Sequence, residues 1–231
     1  MRVSVIIPAL NEADCIGELV REALAQAVSE VIVVDNGSTD GTAMVARQAG
    51  ARVVSEPRRG YGYACSAGAE AADAEALVFL DGDGSSLPHE MPQLIEPVAS
   101  GRADLALGSR VLGDIAQGAM PPHQRFGNWL ASRLMNMLYY VRVTDLGPYR
   151  AIKRDLLVTL DMREMTFGWP TEMMVKTARC HARIVEVPVS FHPRRAGRSK
   201  VSGTVRGTFL AAYHILGVTL RYARSRPLAR P

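Results

Sequence analysis

The sequence predicts an α/β fold with a mostly parallel central sheet flanked by helices, and three observations predict it. Short apolar runs alternate with helical periodicity through the first third of the chain, the rhythm of a parallel sheet joined by right-handed crossovers. One run, Ala76-Leu77-Val78-Phe79-Leu80, has the length and composition of a buried strand and leads straight into Asp81-Gly82-Asp83. Three strand ends carry polar segments, Pro8-Ala9-Leu10-Asn11-Glu12, Asp35-Asn36-Gly37-Ser38 and Asp81-Gly82-Asp83. Ligands of such sheets bind beyond the carboxyl ends of the strands, so one crevice lined by all three is expected.

The elements follow in order. Val3–Ile7 enters a strand at once, without the basic and longer apolar segments of a secretory signal. Helical patterns at Asp14–Gln26, Thr42–Ala49 and Tyr63–Ala72 separate the strands Glu30–Val34, Arg52–Ser55 and Ala76–Leu80. Asp35–Thr42 reads either as a polar turn capped by Asp40 or Thr42, or as a ligand loop. Arg58-Arg59-Gly60-Tyr61-Gly62 is a basic glycine segment, again a turn or a phosphate contact. Leu105–Ser109 is a further strand ending at Arg110, and Gly and Pro breaks make Val111–His123 a loop.

Apolar residues at 126, 129, 130, 134, 137, 138 and 141 make Phe126–Val141 helical. That stripe either packs on the core or faces a lipid acceptor, with Arg125, Asn128 and Arg133 near its start. Val143–Ile152 is a polar loop returning to an apolar strand, Met173–Cys180 a helix and Ile184–Phe191 a last strand. Four cations then fall within seven residues, Arg194-Arg195-Ala-Gly-Arg198-Ser199-Lys200. Such a loop grips phosphate, is merely solvated, or is drawn to anionic lipid. The longest apolar stretch, Gly207–Leu220, is about six residues short of the ~20 that span a bilayer, so no transmembrane helix is expected. No repeat and no clear linker interrupt the chain.

The 231 residues are 48% hydrophobic and 22% charged, with a net charge of +4. The charge is too mild to point to nucleic acid as a partner, and local clusters matter more. Cys15, Cys65 and Cys180 are odd in number and far apart, which argues against a disulfide framework or zinc and fits a reducing, cytoplasmic compartment.

The chemistry centres on Asp81 and Asp83. Ionised carboxylates at the end of a buried strand cannot remain unpaired, and side chains two apart on an extended chain point the same way. Gly82 between them leaves room for a close approach. Mg²⁺ or Mn²⁺ carrying a diphosphate suits this hard oxygen pair, and the basic loop would close over the same diphosphate. That division of labour describes group transfer from an activated nucleotide.

Val5-Ile-Ile-Pro8-Ala-Leu-Asn11-Glu12, Val33-Val-Asp35-Asn-Gly-Ser-Thr-Asp40-Gly-Thr42, Leu80-Asp81-Gly-Asp83, Gly108-Ser-Arg110 and Arg194-x-x-Gly197-x-Ser199-Lys200 together resemble the family 2 glycosyltransferases. Within them the chain is most similar to the dolichyl/polyprenyl-phosphate sugar synthases. The motifs fall in family order over residues 3–203. The resemblance implies a GT-A (Rossmann-like) fold and inverting transfer of a hexose from a UDP- or GDP-sugar, with polyprenyl phosphate as the favoured acceptor. By motif position Pro8, Glu12 and Asp35 would hold base and ribose, with Gly60 against the nucleotide. Asp81 and Asp83 would bind ribose, diphosphate and metal, Asp83 being catalytic. Arg110, Arg194, Ser199 and Lys200 would contact donor diphosphate or acceptor phosphate, and Arg125 and Asn128 would lie on the acceptor side.

It further implies one transferase domain at 1–203, with a nucleotide-sugar half at 1–110, an acceptor half at 111–203, and a C-terminal helix and tail at 204–231. Relatives often carry Gln where this chain has Ser85, so the metal shell would hold more water or a ligand such as His192. The segment 204–224, with Phe209, Ala212, Tyr213, Leu216 and Leu220 on one stripe, either attaches peripherally to a membrane or caps the core. A hydroxyl acceptor would need a carboxylate base, for which Glu172 is the first candidate and Asp145 the reserve. Glu172 could equally be the acidic start of a helix. Among rivals, a nucleotidyltransferase lacks its Gly/Arg-rich loop after the first strand, and an NAD-binding module lacks G-x-G-x-x-G there. A degenerate, non-catalytic relative is opposed by the intact Asp81, Asp83 and basic loop.

Overall fold

Strand β1 (Val3–Ala9) is buried along its length apart from a partly exposed Pro8, and its side chains alternate between two cores. Val3, Val5 and Ile7 enter one and Ile6 the other, as the period of two requires for a strand covered on both faces. The structure, a computed structural model, describes residues 1–197 and 205–223, with side chains for 1–197 and 213–223.

Parallel to β1 run β2 (Glu30–Asp35) on one side and β4 (Ala76–Phe79) on the other, with β3 (Arg52–Ser55) beyond β2. Helices α1 (Ala13–Leu24), α2 (Thr42–Gln48) and α3 (Tyr61–Ala71) supply the crossovers. The second half is mixed. β5 (Leu105–Ser109) and β7 (Ile184–Pro188) are parallel, but β6 (Arg150–Lys153) lies between β4 and β5 and runs antiparallel to both. Among the described residues the sheet order is β3-β2-β1-β4-β6-β5-β7.

Helix α4 (Met91–Ala99) packs with α1 on the first face, where Ile16, Leu19, Met91 and Leu94 are fully buried. The second face is covered by α3, α6 (Arg154–Leu160) and α7 (Trp169–Arg179), with Met135 of α5 (Pro122–Tyr139) reaching the same core. α8 (Val205–Arg221) packs against α7 and α5. Tyr139 donates its hydroxyl to the Thr219 carbonyl, and Val218 and Thr219 are buried. For 204–224 the capping alternative therefore holds at the end of the segment. Of the stripe residues with described side chains, Tyr213 and Leu220 are exposed and Leu216 is partly buried, while the contact runs through the adjacent positions 218 and 219. Among the described residues no helix is long and apolar enough to cross a membrane.

The strands of the first half lie where the apolar runs place them, and α5 starts four residues before its stripe, at a proline pre-set for a first turn. Two elements carried no usable sequence signal, and a third, the strand expected at the end of the 143–152 segment, was marked only by its apolar end. α4 has Pro92 in its first turn and Pro97 inside it, α6 has only seven residues, and β6 begins with an arginine, Arg150, that is fully buried. Arg150 is accommodated because its guanidinium donates to the carbonyls of Gly147 and Pro170, so a charge stands where an apolar residue would ordinarily mark a central strand.

Candidate active site

The carboxyl ends of β1, β2 and β4 open into one crevice of about 560 Å³. The polar motif after β2 builds its rim by clasping the turn after β1. Ser38 Oγ accepts the Asn11 N–H at 2.9 Å, Asn11 Oδ1 accepts the Thr39 N–H at 2.8 Å, and Thr42 Oγ1 accepts the Glu12 N–H at 2.8 Å. Asp40 accepts the N–H of Ala13 and of Thr42. The turn reading of Asp35–Thr42 holds, and that turn chemistry shapes the rim of the crevice. Within the turn Asp35 is directed to the Ser38 N–H at 3.0 Å and does not line the crevice. Asn36 lines it instead. Its side chain donates to the carbonyls of Glu56 and Arg58 and accepts the Gly60 N–H at 3.0 Å.

Pro8, Glu12, Gly60, Asp81, Asp83, Arg110 and Arg194 all line this crevice, as the motifs led us to expect, and Tyr61, Gln124, Phe167 and Phe191 join them. Gly60 has φ of +154°, and a Cβ there would overlap the Met165 carbonyl oxygen; only glycine fits. Gly82, which lines the crevice, also leaves room for the protein's own backbone, the Pro8 carbonyl lying 3.0 Å from where a Cβ would stand.

Asp81 accepts the Tyr61 hydroxyl at 2.9 Å. Its half-buried position, with the charge of Asp83 beside it, pushes the Asp81 carboxyl above the ordinary carboxylate range, against the pull of Tyr61, Arg110 and Arg194. Asp83 accepts the Ser85 N–H at 3.0 Å and a guanidinium N–H of Arg194 at 2.7 Å. The same guanidinium reaches both carboxylate oxygens of Glu12, at 2.7 and 2.9 Å. A guanidinium from the loop after β7 thereby ties the ends of β1 and β4 together. Arg195 turns away to Glu22 and Glu18 on α1.

The donor set suits Mg²⁺ or Mn²⁺. Asp81 and Asp83 are hard oxygen ligands side by side at the end of β4. Among the described residues no third His, Cys, Asp or Glu completes a cluster, which matches cations that keep several waters and substrate phosphate oxygens. His192 does not replace the ligand missing at Ser85: its main chain is fastened to the Ser85 carbonyl, and its side chain does not line the crevice.

Arg110 is held from behind by Asp145, which accepts its Nε at 2.7 Å, its Nη2 at 2.6 Å and its main-chain N–H at 2.8 Å. Its guanidinium stacks 4.9 Å from the centre of the Phe191 ring. Burial would raise the Asp145 carboxyl, but the Arg110 contacts outweigh it and hold the group below the usual range. Asp145 is thus the seat of Arg110 and not a reserve base.

Glu172 departs from the base reading and meets its alternative, the acidic residue in the first turn of α7. It is fully buried, lines no part of the crevice, and has every lone pair in demand. Its Oε2 accepts the N–H groups of Arg163 at 2.8 Å and Glu164 at 2.7 Å, while Oε1 accepts Tyr222 Oη–H at 2.5 Å beside Lys176 Nζ at 3.0 Å. Those contacts overcome the upward push of burial and keep its carboxyl below the ordinary value. A shielded, stabilised anion cannot take a proton from an acceptor it does not meet.

Arg125 and Asn128 fall in a neighbouring groove of about 470 Å³, with Val111, Trp129 and Thr144, and not in the crevice. Asn128 spans Thr144 and Leu146 there. Ser199 and Lys200 lie outside the described residues. Of the lining residues missed in the sequence, Asn36, Arg59 and Tyr61 lay inside motifs already singled out. Gln124, Phe167 and Phe191 have no local signal, because only the fold brings their loops to the strand ends.

The chain matches the Glycosyl transferase family 2 profile over residues 4–160. It is 38% identical over 209 residues to an uncharacterized glycosyltransferase of Mycobacterium tuberculosis strain H37Rv, covering 90% of this chain and 94% of that protein. It is 32% identical over 242 residues to the undecaprenyl-phosphate mannosyltransferase of Micrococcus luteus, covering 96% of each. The structure superposes with a TM-score of 0.79 and 24% identity on glucosyl-3-phosphoglycerate synthase from Mycobacterium tuberculosis in complex with Mn²⁺, uridine diphosphate and phosphoglyceric acid, covering 96% of this chain and 78% of that one. That likeness identifies the GT-A fold. With strand ends, paired aspartates and a returning arginine assembled in one crevice, this chain belongs to the family 2 glycosyltransferases.

Proposed function

We propose that the protein transfers a hexose from a UDP- or GDP-sugar to a polyprenyl phosphate, with inversion at the anomeric carbon, at a membrane surface. Residues 1–110 bind the nucleotide sugar in this reading and residues 111–203 present the acceptor. Pro8, Asn36 and Gly60 flank the nucleoside, with Asp35 behind them, and Asp81 and Asp83 hold Mg²⁺ or Mn²⁺. When bound, that cation neutralises charge developing on the leaving diphosphate. Arg110 and Arg194 are the fixed cations of the site, and Tyr61 orients Asp81. Ser199 and Lys200 extend the grip on phosphate. Arg125 and Asn128 border the acceptor path through the adjoining groove.

One observation carries the choice of acceptor. Glu172 and Asp145 are sequestered, and among the described residues the carboxylates lining the crevice are Glu12, Asp81 and Asp83, each engaged by Arg194 or Tyr61. A hydroxyl acceptor needs a base to take its proton. A phosphate monoester, with a second pKa of about 6, already presents an anionic oxygen at neutral pH. The undecaprenyl-phosphate mannosyltransferase of Micrococcus luteus, a relative, supports an acceptor of this class.

The membrane part rests on α5. Phe126, Trp129, Leu130 and Met137 are exposed on it, as are Arg125 and Arg133, and no acidic residue occurs between Asp114 and Asp145. Aromatic and aliphatic groups edged by arginine are what binds the interface of an anionic bilayer.

The test is a screen of UDP- and GDP-sugars with Mn²⁺ against undecaprenyl phosphate, phosphoglycerate and simple alcohols. Glycosylated lipid phosphate should form, and be lost on chelation and in Asp83→Ala. Preferential transfer to an alcohol or to phosphoglycerate would overturn the reading.

A further inference from the structure

We infer that the C-terminal helix is a working part of the donor site: through Glu172 it clamps the loop 161–168 that buttresses the nucleotide side of the crevice, so that Glu172 is a positioning residue. The functional half of this inference rests on the proposed donor reading, and the mechanical half rests on contacts alone.

The loop joins α6 to α7 without secondary structure of its own, so its buried amides need acceptors from elsewhere. Glu172, in the first turn of α7, supplies them to Arg163 and Glu164 from a single oxygen. Lys176, one turn on, pairs with Glu172 at 3.0 Å and donates to the Asp161 carbonyl at 2.5 Å. One buried ion pair therefore holds both the start and the middle of the loop.

From the outside α8 closes the clamp. Tyr222, just past its end, donates to Glu172 at 2.5 Å. His214 and Arg221 lie 3.7 and 3.9 Å from the Glu164 carboxylate, and Val218 packs beside Gly168. On its inner side the loop bears directly on the crevice. The Met165 carbonyl accepts the Gly62 N–H at 3.1 Å. A Cβ at Gly60 or Gly62 would overlap the backbone of Glu164 or Met165, so the two segments touch main chain to main chain. Between those glycines Tyr61 reaches Asp81, and Phe167 of the loop itself lines the crevice. Close-packed backbones leave no side chain to absorb a shift. Loosening Glu172 or Tyr222 would thus move Gly60, Tyr61 and Phe167, though neither residue lines the crevice.

The experiment uses the full chain and Tyr222→Phe, Glu172→Ala and Glu172→Gln variants. Tyr222→Phe deletes one oxygen and keeps the ring that Lys176 and Arg179 face, so its fold remains readable. UDP and GDP with Mn²⁺ are titrated by calorimetry, and amide exchange is followed at Gly62, Arg163 and Glu164. Losing buried hydrogen bonds of ordinary strength should weaken nucleotide binding about 10-fold in Glu172→Ala and roughly 3-fold in Tyr222→Phe, and speed exchange at the three amides to a similar extent. Glu172→Gln, whose amide oxygen still accepts both N–H groups, should stay nearer the unaltered chain on both measures. Unchanged exchange and affinity in Glu172→Ala and Tyr222→Phe would overturn the clamp. Faster exchange with unchanged affinity would overturn its link to the donor site. A Glu172→Gln protein that binds nucleotide normally yet loses turnover as fully as Glu172→Ala would restore the base and overturn the positioning role. If the unaltered chain binds neither nucleotide the donor reading fails, and exchange still decides the clamp.

Discussion

Arg194 is the residue on which the site turns. It lies 111 positions beyond Asp83 and 182 beyond Glu12, yet its fork engages both at once. A planar guanidinium can bridge two carboxylates in fixed geometry, whereas a lysine ammonium is a single flexible point charge. Arg194→Lys therefore keeps the charge and loses the bridge. Nucleotide affinity measured by calorimetry should fall on the order of 10-fold for the loss of one or two charge-assisted hydrogen bonds. An affinity unchanged by the substitution would show that the bridge plays no part in shaping the site. Asp81, Asp83 and Arg194 were legible in the sequence, because a carboxylate pair after an apolar strand and a dense basic loop are local patterns. Glu172 and Asp145 were misread as bases for the same reason, although the other expectation for Glu172, the acidic start of a helix, holds. An acid's identity is local, but whether it meets solvent or a buried partner is settled largely by residues remote in the chain, here Tyr222 for Glu172 and Arg110 for Asp145.

At the scale of elements, α5 is the exception to the burial of the helices around it. Ala131, Ser132 and Met135 bury while Phe126, Trp129 and Met137 face outward at 62%, 55% and 64% exposure. Core packing thus runs through positions outside the apolar stripe drawn from the sequence, and the stripe residues Phe126, Trp129, Leu130 and Met137 are left outward. Trp129→Glu with Met137→Glu should abolish co-sedimentation with anionic vesicles. Exposed positions tolerate such changes within about 0.5 kcal/mol each, so the thermal midpoint should barely move. A pair of substitutions that leaves vesicle binding intact would remove α5 from the membrane contact. Strong periodic or apolar runs such as β1, β4 and α5 were readable one by one. Of β6 only a strand at the end of the 143–152 segment was readable, because its pairing with β4 and β5 is a long-range choice and its buried Arg150 hides where it begins.

Across the whole molecule, three carboxylates tie distant segments together. Asp104 is held far below its ordinary range mainly by Arg183, Asp145 by Arg110 against the cost of burial, and Glu172 by Tyr222, two main-chain amides and Lys176 against the same cost. Each group is more acidic in the folded chain than in the unfolded one, so its stabilisation is complete above about pH 4–5, the ordinary carboxylate range, and is lost as pH falls below it. Urea midpoints should accordingly be flat near neutrality and drop steeply on acidification, and Asp145→Asn should flatten that drop while lowering the neutral plateau. A midpoint that does not change between pH 7 and pH 3 would contradict these assignments.

By itself the sequence determined the α/β class, the parallel half of the sheet, the crevice at its strand ends, and the family, because strand burial, turn chemistry and clustered charge are written in runs of a few residues. Only the tertiary structure decided which acids face the crevice, that Asn36 lines it where Asp35 does not, that Arg194 bridges Glu12 and Asp83, and that the C-terminal helix braces the loop behind Gly60. The physical reason is the same in each case. A side chain's chemical role depends on burial and on the charge opposite it, and in a sheet whose order runs β1-β4-β6-β5-β7 those neighbours come from the far end of the chain.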